Sequence, residues 1–179
     1  MVSSKFLSVA VLKTAKFTAL AAAASLAMTA LAGCGTSECK SNEDKKSGCV
    51  EISRYKDGTV GHEIVWKNYQ KNGVEKFYSR NGQLNREVSY KDDKRDGVEK
   101  WYHDNGRLLS EHPHKDGKID GVSKAWHSNG QLKYEMPHKM GKRDGIVKWY
   151  NENGELTDEC EYKDDKLVKE IKGDGYRCN

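Results

Sequence analysis

The chain has 179 residues, of which 36% are hydrophobic and 32% charged, with 31 Lys and Arg against 27 Asp and Glu. Three of the basic residues, Lys5, Lys13 and Lys16, fall in the first 33 positions, which hold no acidic residue, so the remainder carries 28 basic against 27 acidic side chains. A net charge of +1 gives no basic footprint for nucleic acid, which demands a clustered positive face.

Residues 1–33 read as a targeting segment. The three lysines form a basic n-region, and Phe17 to Ala32 is uncharged and rich in Ala and Leu. That run is short of the ~20 apolar residues a membrane helix needs, so it is set aside from fold reasoning. Its end, Leu31-Ala32-Gly33-Cys34, resembles the bacterial lipobox. The resemblance implies that Cys34 is lipidated and ties the chain to a membrane; stable anchoring takes more than one acyl chain. Gly35 stands where an Asp would signal inner-membrane retention, which leans the expectation toward an outer membrane. Residues 34–50 are polar and nearly free of apolar side chains up to Gly48, and read as anchor and flexible tether.

Residues 51–168 are repetitive. Gly73-Val-Glu-Lys-Phe-Tyr-Ser-Arg-Asn-Gly-Gln-Leu84 recurs at Gly97, Gly121 and Gly145, each time 24 residues on. A worn copy precedes, with Asp57-Gly58 aligned to Asn81-Gly82, and a partial copy follows at Lys163 to Lys166. A fixed period of this length marks a repeat architecture with atypical terminal copies. Residues 169–179 read as a C-terminal cap.

Each period holds two strand signals, Val-x-Lys-aromatic-aromatic and a second run beginning at Leu84, Leu108, Leu132 or Leu156. Asn-Gly lies between them and predicts a two-residue type I′ turn, because both central positions need positive φ. Lys-x-x-Lys-x-Asp-Gly makes the second connection. The expected fold is all-β: an elongated, single-layer antiparallel meander of 24-residue hairpins. A two-residue turn sets Lys76 opposite Glu87, Lys100 opposite Glu111, Lys124 opposite Glu135 and Lys148 opposite Glu159. Such pairs contribute ~0.2–1 kcal/mol each. It also sets Gly73, Gly97, Gly121 and Gly145 opposite Tyr90, His114, His138 and Tyr162, where a ring covers strand glycine. Tyr134 faces Ala125, a large residue compensating a small one.

Alternation places Phe77, Leu84, Val88 and Tyr90, with their equivalents, on one face. Tyr78, Tyr102, Trp126 and Tyr150 share the other with the Lys–Glu pairs and with Val74, Val98, Val122 and Ile146. These four aromatics form a ladder. It either stabilises the sheet by cross-strand contact or offers an exposed track for a partner protein, peptide or glycan.

Four cysteines remain after Cys34: Cys39, Cys49, Cys160 and Cys178. About five repeats of two strands separate the sheet ends by roughly 45–50 Å, and a disulfide needs Cα atoms within ~7 Å. Bonds between the ends are thereby excluded, which leaves Cys39–Cys49 and Cys160–Cys178, with free or intermolecular thiols as the rival reading.

The repeat closely resembles the variant MORN repeat of bacterial proteins grouped as the YwqK antitoxin family. The resemblance implies an elongated sheet that binds partner proteins and, by family name, an antitoxin role; an exported copy suits protection against a toxin arriving from outside. His112 and His114 share a strand face, and His138 is the equivalent of His114 one repeat on, roughly 10 Å away. That spacing is far for shared metal ligation. No nucleophile, acid–base pair or phosphate loop stands at a motif spacing. The expectation is a non-enzymatic envelope lipoprotein without metal or cofactor, whose sheet binds an unidentified protein, such as a toxin; the alternative is an envelope spacer or a surface lipoprotein that binds peptide or glycan.

Overall fold

The computed structural model describes residues 37–173 and 177–178. The predicted signal segment and Cys34 lie outside the described residues. Among the described residues no helix is long and apolar enough to cross a membrane.

One antiparallel sheet of fifteen strands contains almost everything described. It opens with β1 (Cys49–Arg54), β2 (Val60–Lys67) and the two-residue β3 (Gln70–Lys71). Four units of two long strands and a short one follow: β4 (Gly73–Tyr78), β5 (Leu84–Lys91), β6 (Lys94–Arg95); β7 (Gly97–Tyr102), β8 (Leu108–Lys115), β9 (Lys118–Ile119); β10 (Gly121–Trp126), β11 (Leu132–Lys139), β12 (Lys142–Arg143); β13 (Gly145–Tyr150), β14 (Leu156–Lys163). The last unit ends in β15 (Lys166–Lys172), which is long and closes the sheet. Long strands pair with their neighbours in chain order, so every pairing is local. The meander forms because β-branched and aromatic residues fill the strand columns and turn residues recur at fixed intervals between them.

The predicted cross-strand pairs are present in all four hairpins: Lys76 with Glu87, Lys100 with Glu111, Lys124 with Glu135 and Lys148 with Glu159. The glycines face Tyr90, His114, His138 and Tyr162 as expected, and Tyr134 faces Ala125. At Gly97 the reason for glycine is direct. Its φ is 112°, and a Cβ there would lie 2.8 Å from the Cβ of Ser89. Any side chain would meet both a strained backbone and a clash.

The turns differ from expectation. The Asn-Gly turn is not type I′: Gly106 has φ 79°, but Asn105 is not among the positive-φ residues. Gly106 N–H donates to the His103 carbonyl at 2.8 Å, and His103 N–H donates to the Arg107 carbonyl at 2.8 Å. This is a type I turn followed by a left-handed glycine, the three-residue hairpin loop. The Asn105 side chain accepts from Arg107 N–H at 3.0 Å, which gives Asn a use that needs no positive φ. The loop shifts the pairing by one, and a bulge between Trp101 and Tyr102 shifts it back. The strand bodies therefore keep the pairing of a two-residue turn. The type I′ geometry sits at the other connection: Asp92 and Asp93 have φ 48° and 65°, and Lys91 faces Lys94. Asp tolerates this region because its short side chain bonds locally. Each of these tips also reaches the repeat before it, as in Asp93 N–H to the Lys71 carbonyl at 3.1 Å.

The bulge has a second consequence. Leu84, Leu108, Leu132 and Leu156 stand directly opposite Tyr78, Tyr102, Trp126 and Tyr150. Directly opposed residues share a face, so strict alternation misplaced the leucines; they belong with the ladder.

Both ends carry disulfide-tied caps, Cys39–Cys49 with Cα atoms 5.1 Å apart and Cys160–Cys178 at 5.9 Å. Composition alone reads residues 34–50 as tether, but Ser37 onward packs on the sheet. The helix α1 (Asp44–Ser47) places the Lys45 ammonium 4.3 Å from the Trp66 ring, and Cys39 N–H donates to the Val50 carbonyl. At the far end Val147, Cys160, Tyr162 and Cys178 form a buried cluster, with Met136 and Trp149 packed against it. The Tyr162 hydroxyl donates to the Cys178 carbonyl at 2.9 Å. Trp66 and Cys160 belong to the same face, that of Phe77 and Val88. Both caps thus fold over one face, the capped face, and leave the other open among the described residues.

Candidate binding face

On the open face the Lys–Glu pairs extend beyond single hairpins. Between hairpins Glu63 faces Lys76, Glu87 faces Lys100, Glu111 faces Lys124 and Glu135 faces Lys148. Lys172 then faces Glu159. The result is one row of alternating charge from Glu63 to Lys172 across the sheet. Its ion pairs include Lys124–Glu135 at 3.3 Å and Lys148–Glu159 at 3.8 Å. In the earlier copies the carboxylates also accept hydroxyls: Tyr78 donates to Glu63 at 3.0 Å and Tyr102 to Glu87 at 2.8 Å.

Those bonds decide part of the ladder question. Tyr78, Tyr102, Trp126 and Tyr150 are half-buried rather than exposed. Burial, then the Glu87 carboxylate, pushes the Tyr102 hydroxyl up to about 12; burial and Glu63 raise Tyr78 further. What stands most open beside the charge row is the valine row: Val74 and Val98 are 37% exposed, Val122 40% and Ile146 41%. Across the hairpins these face Ser89, Pro113, Pro137 and Glu161.

The capped face is where sequence reasoning missed most. Glu75 and Glu99 are each only 5% exposed. Arg86 donates to Glu99 through Nε at 3.0 Å and lies 2.8 Å from it through Nη2. Arg95 and the Trp101 indole N–H also donate to Glu99, at 3.3 and 2.9 Å. The Arg86 guanidinium lies 5.3 Å from the Phe77 ring centroid and 4.5 Å from that of Trp101. Glu75 meets His62 at 2.9 Å and Lys71 at 3.0 Å. Burial raises its pKa, but the His62 and Lys71 hydrogen bonds outweigh that and hold it below the ordinary carboxylate value. The signal was present in one column: Glu75, Glu99, Ser123 and Val147 change chemical class while the flanking positions keep Val or Ile and Lys, as expected of a position answering to its own neighbours.

His112 lies 3.1 Å from the Ser110 hydroxyl, and His114 and His138 donate through Nδ1 to the carbonyls of His112 and Met136, both at 2.9 Å. Burial lowers the pKa of His112 and of His138. Among the described residues no three His, Cys, Asp or Glu stand close enough to share a metal ion.

Residues 71–92, 95–116, 119–140 and 143–164 each match the family described as MORN repeat variant. The chain carries four MORN-variant repeats. Each match runs from a short strand through one long hairpin to the next tip, so the MORN-variant unit contains both turn types. No curated protein matches. Among solved structures the chain is similar to one titled "Crystal Structure of TarM", with a TM-score of 0.37 and 13% identity over 56% of this chain and 20% of that one. A MORN-variant sheet of this kind is a repeat scaffold, and its two disulfides suit an oxidising, non-cytoplasmic setting.

Proposed function

We propose that this protein is a non-enzymatic scaffold of the bacterial cell envelope, lipid-anchored at Cys34, whose open MORN-variant face binds a partner protein. The observation that carries the reading is the placement of the caps. Both disulfide-tied ends fold over the same face, while valine, Lys–Glu and aromatic rows run uncovered along the other. Antitoxin or immunity-type neutralisation is the specific form that the family resemblance supplies for such a partner.

A photo-reactive residue at Val122 is expected to cross-link a discrete protein in envelope preparations, while one at the Arg80 loop tip does not. Equal labelling at both sites sinks the platform. The spacer reading is favoured by the repeat period itself; it expects deletion of residues 121–144 to change the phenotype and Val98→Glu with Val122→Glu to leave it intact. Metabolic labelling with palmitate tests the anchor: Cys34→Ser should abolish incorporation.

A further inference from the structure

The open face has a symmetry that its rows reveal when taken together. In each of the four repeat hairpins the first strand carries Val or Ile, then Lys, then an aromatic, and the second carries Pro, Ser or Glu, then Glu, then Leu. Strand order therefore alternates these two types across the sheet, and all three rows alternate in phase. We propose that the partner of this face is a second copy of the same chain, stacked face to face about a twofold axis parallel to the strands; the inference rests on the platform reading and names its occupant.

Such an axis reverses strand order and keeps each row over its counterpart. The charge row begins at Glu63 and ends at Lys172, so reversal lays every Glu over a Lys. Glu111 meets the partner's Lys124, Lys100 the partner's Glu135, and Lys76 the partner's Glu159. The same operation lays Val98 over the partner's Pro137 and Val122 over the partner's Pro113. Trp126 meets the partner's Leu108, and Tyr102 the partner's Leu132. First strands always cover second strands. The alternatives fail on charge. A twofold axis across the strands lays Glu63 over the partner's Glu63, and displacement by one strand lays Glu over Glu and Lys over Lys by turns, like on like throughout. Like charges in register repel and suppress such pairings.

Size agrees. Ten strands at ~4.8 Å, with rows spanning about four residues at ~3.4 Å, give a footprint of roughly 600 Å² per copy. That reaches the low end of stable interfaces, which bury about 1,200 Å² in total. That area needs all ten strands engaged; two twisted sheets stack within about 30° of alignment, and the central copies lie nearest the axis. There the open valines meet the chain's only two prolines, Pro113 and Pro137. An isologous patch of this kind is the usual basis of twofold dimers.

The experiment uses charge complementation in the full chain. Sedimentation velocity at micromolar concentration should show a dimer for the wild type. Glu111→Lys sets Lys against the partner's Lys124 twice, and Lys124→Glu sets Glu against the partner's Glu111 twice. Each variant alone should dissociate with a dimer constant weakened roughly tenfold or more. An equimolar mixture of the two should recover the dimer, because every contact at the axis is then opposite in charge. Complementation in trans has no explanation in monomer stability. A monomeric wild type overturns the proposal, as does a mixture that stays monomeric; if Val122 then cross-links a different protein, the platform reading stands and only its occupant is changed.

Discussion

The second copy and the last solve the same burial problem with opposite chemistry. In the second, Glu99 sits inward with Arg86, Arg95 and the Trp101 indole converging on it. In the last, Val147 holds the same position with Cys160 opposite, under the tail that brings Cys178. The difference teaches that the repeat backbone does not demand an apolar core. A sheet with one layer has little to bury against, so a carboxylate walled by cations serves as well as a valine, provided every polar atom is answered. Among the described residues no buried side-chain polar atom lacks a partner. Where the chain supplies a second layer, the position reverts to hydrocarbon.

Removing the carboxylate is the sharpest way to break the comparison. Glu99→Ala leaves two guanidinium groups without their anion and should cost about 2–4 kcal/mol in urea unfolding, toward the lower figure because Arg95 reaches solvent. Val147→Ala should cost a similar amount through a cavity, about 1–3 kcal/mol. If Glu99→Ala is neutral, the cation cluster is no substitute for a core.

The two staples should separate as well. Replacing Cys160 and Cys178 by Ala opens a loop of 18 residues and exposes the buried cluster, for an expected loss of about 3 kcal/mol. The same change at Cys39 and Cys49 opens a loop of only 10 residues at a polar cap, and should cost less, about 2 kcal/mol. Equal losses would mean the apolar end gains nothing from its tail.

The central copies give the smallest effect, read through pH. Burial holds the pKa of His112 and His138 below the free value of 6.5. The unfolded chain therefore binds more protons as pH drops past that value, so stability present above it is lost as pH falls through the lower folded values. Glu75, also depressed, adds its own loss below 4.5. Unfolding free energy should decline between pH 7.5 and pH 5.5, and His112→Gln with His138→Gln should flatten that slope. A slope unchanged by these substitutions contradicts the assignment.

Much of this was legible from residues. The 24-residue period, the strands, the four Lys–Glu pairs, the ring over each glycine and both disulfide pairings follow from spacing and turn arithmetic. The turn types were exchanged because two geometries give one pairing. The left-handed glycine adds a residue at the tip, and the bulge just after Leu84 or Leu108 absorbs it, so charge matching cannot tell them apart. The half-burial of Tyr78 and Tyr102 depends on carboxylates a hairpin away, a distance the single-hairpin reading did not cross. Ser37 to Gly48 lacked apolar residues, and its packing comes instead from Lys45 over Trp66 and a disulfide.

The tip bond from Asp93 to Lys71 recurs from Gly117 to Arg95, Gly141 to Ile119 and Asp165 to Arg143. Each copy leaves a carbonyl waiting for the next and fills the one left before it. A gene segment of 72 nucleotides copied or lost within the array would leave these backbone seams closed, whereas the side-chain contacts between copies, such as Arg86 with Glu99 and His62 with Glu75, hold only where the matching neighbour is kept. Backbone closure therefore sets no limit on copy number; the side chains that differ between copies do.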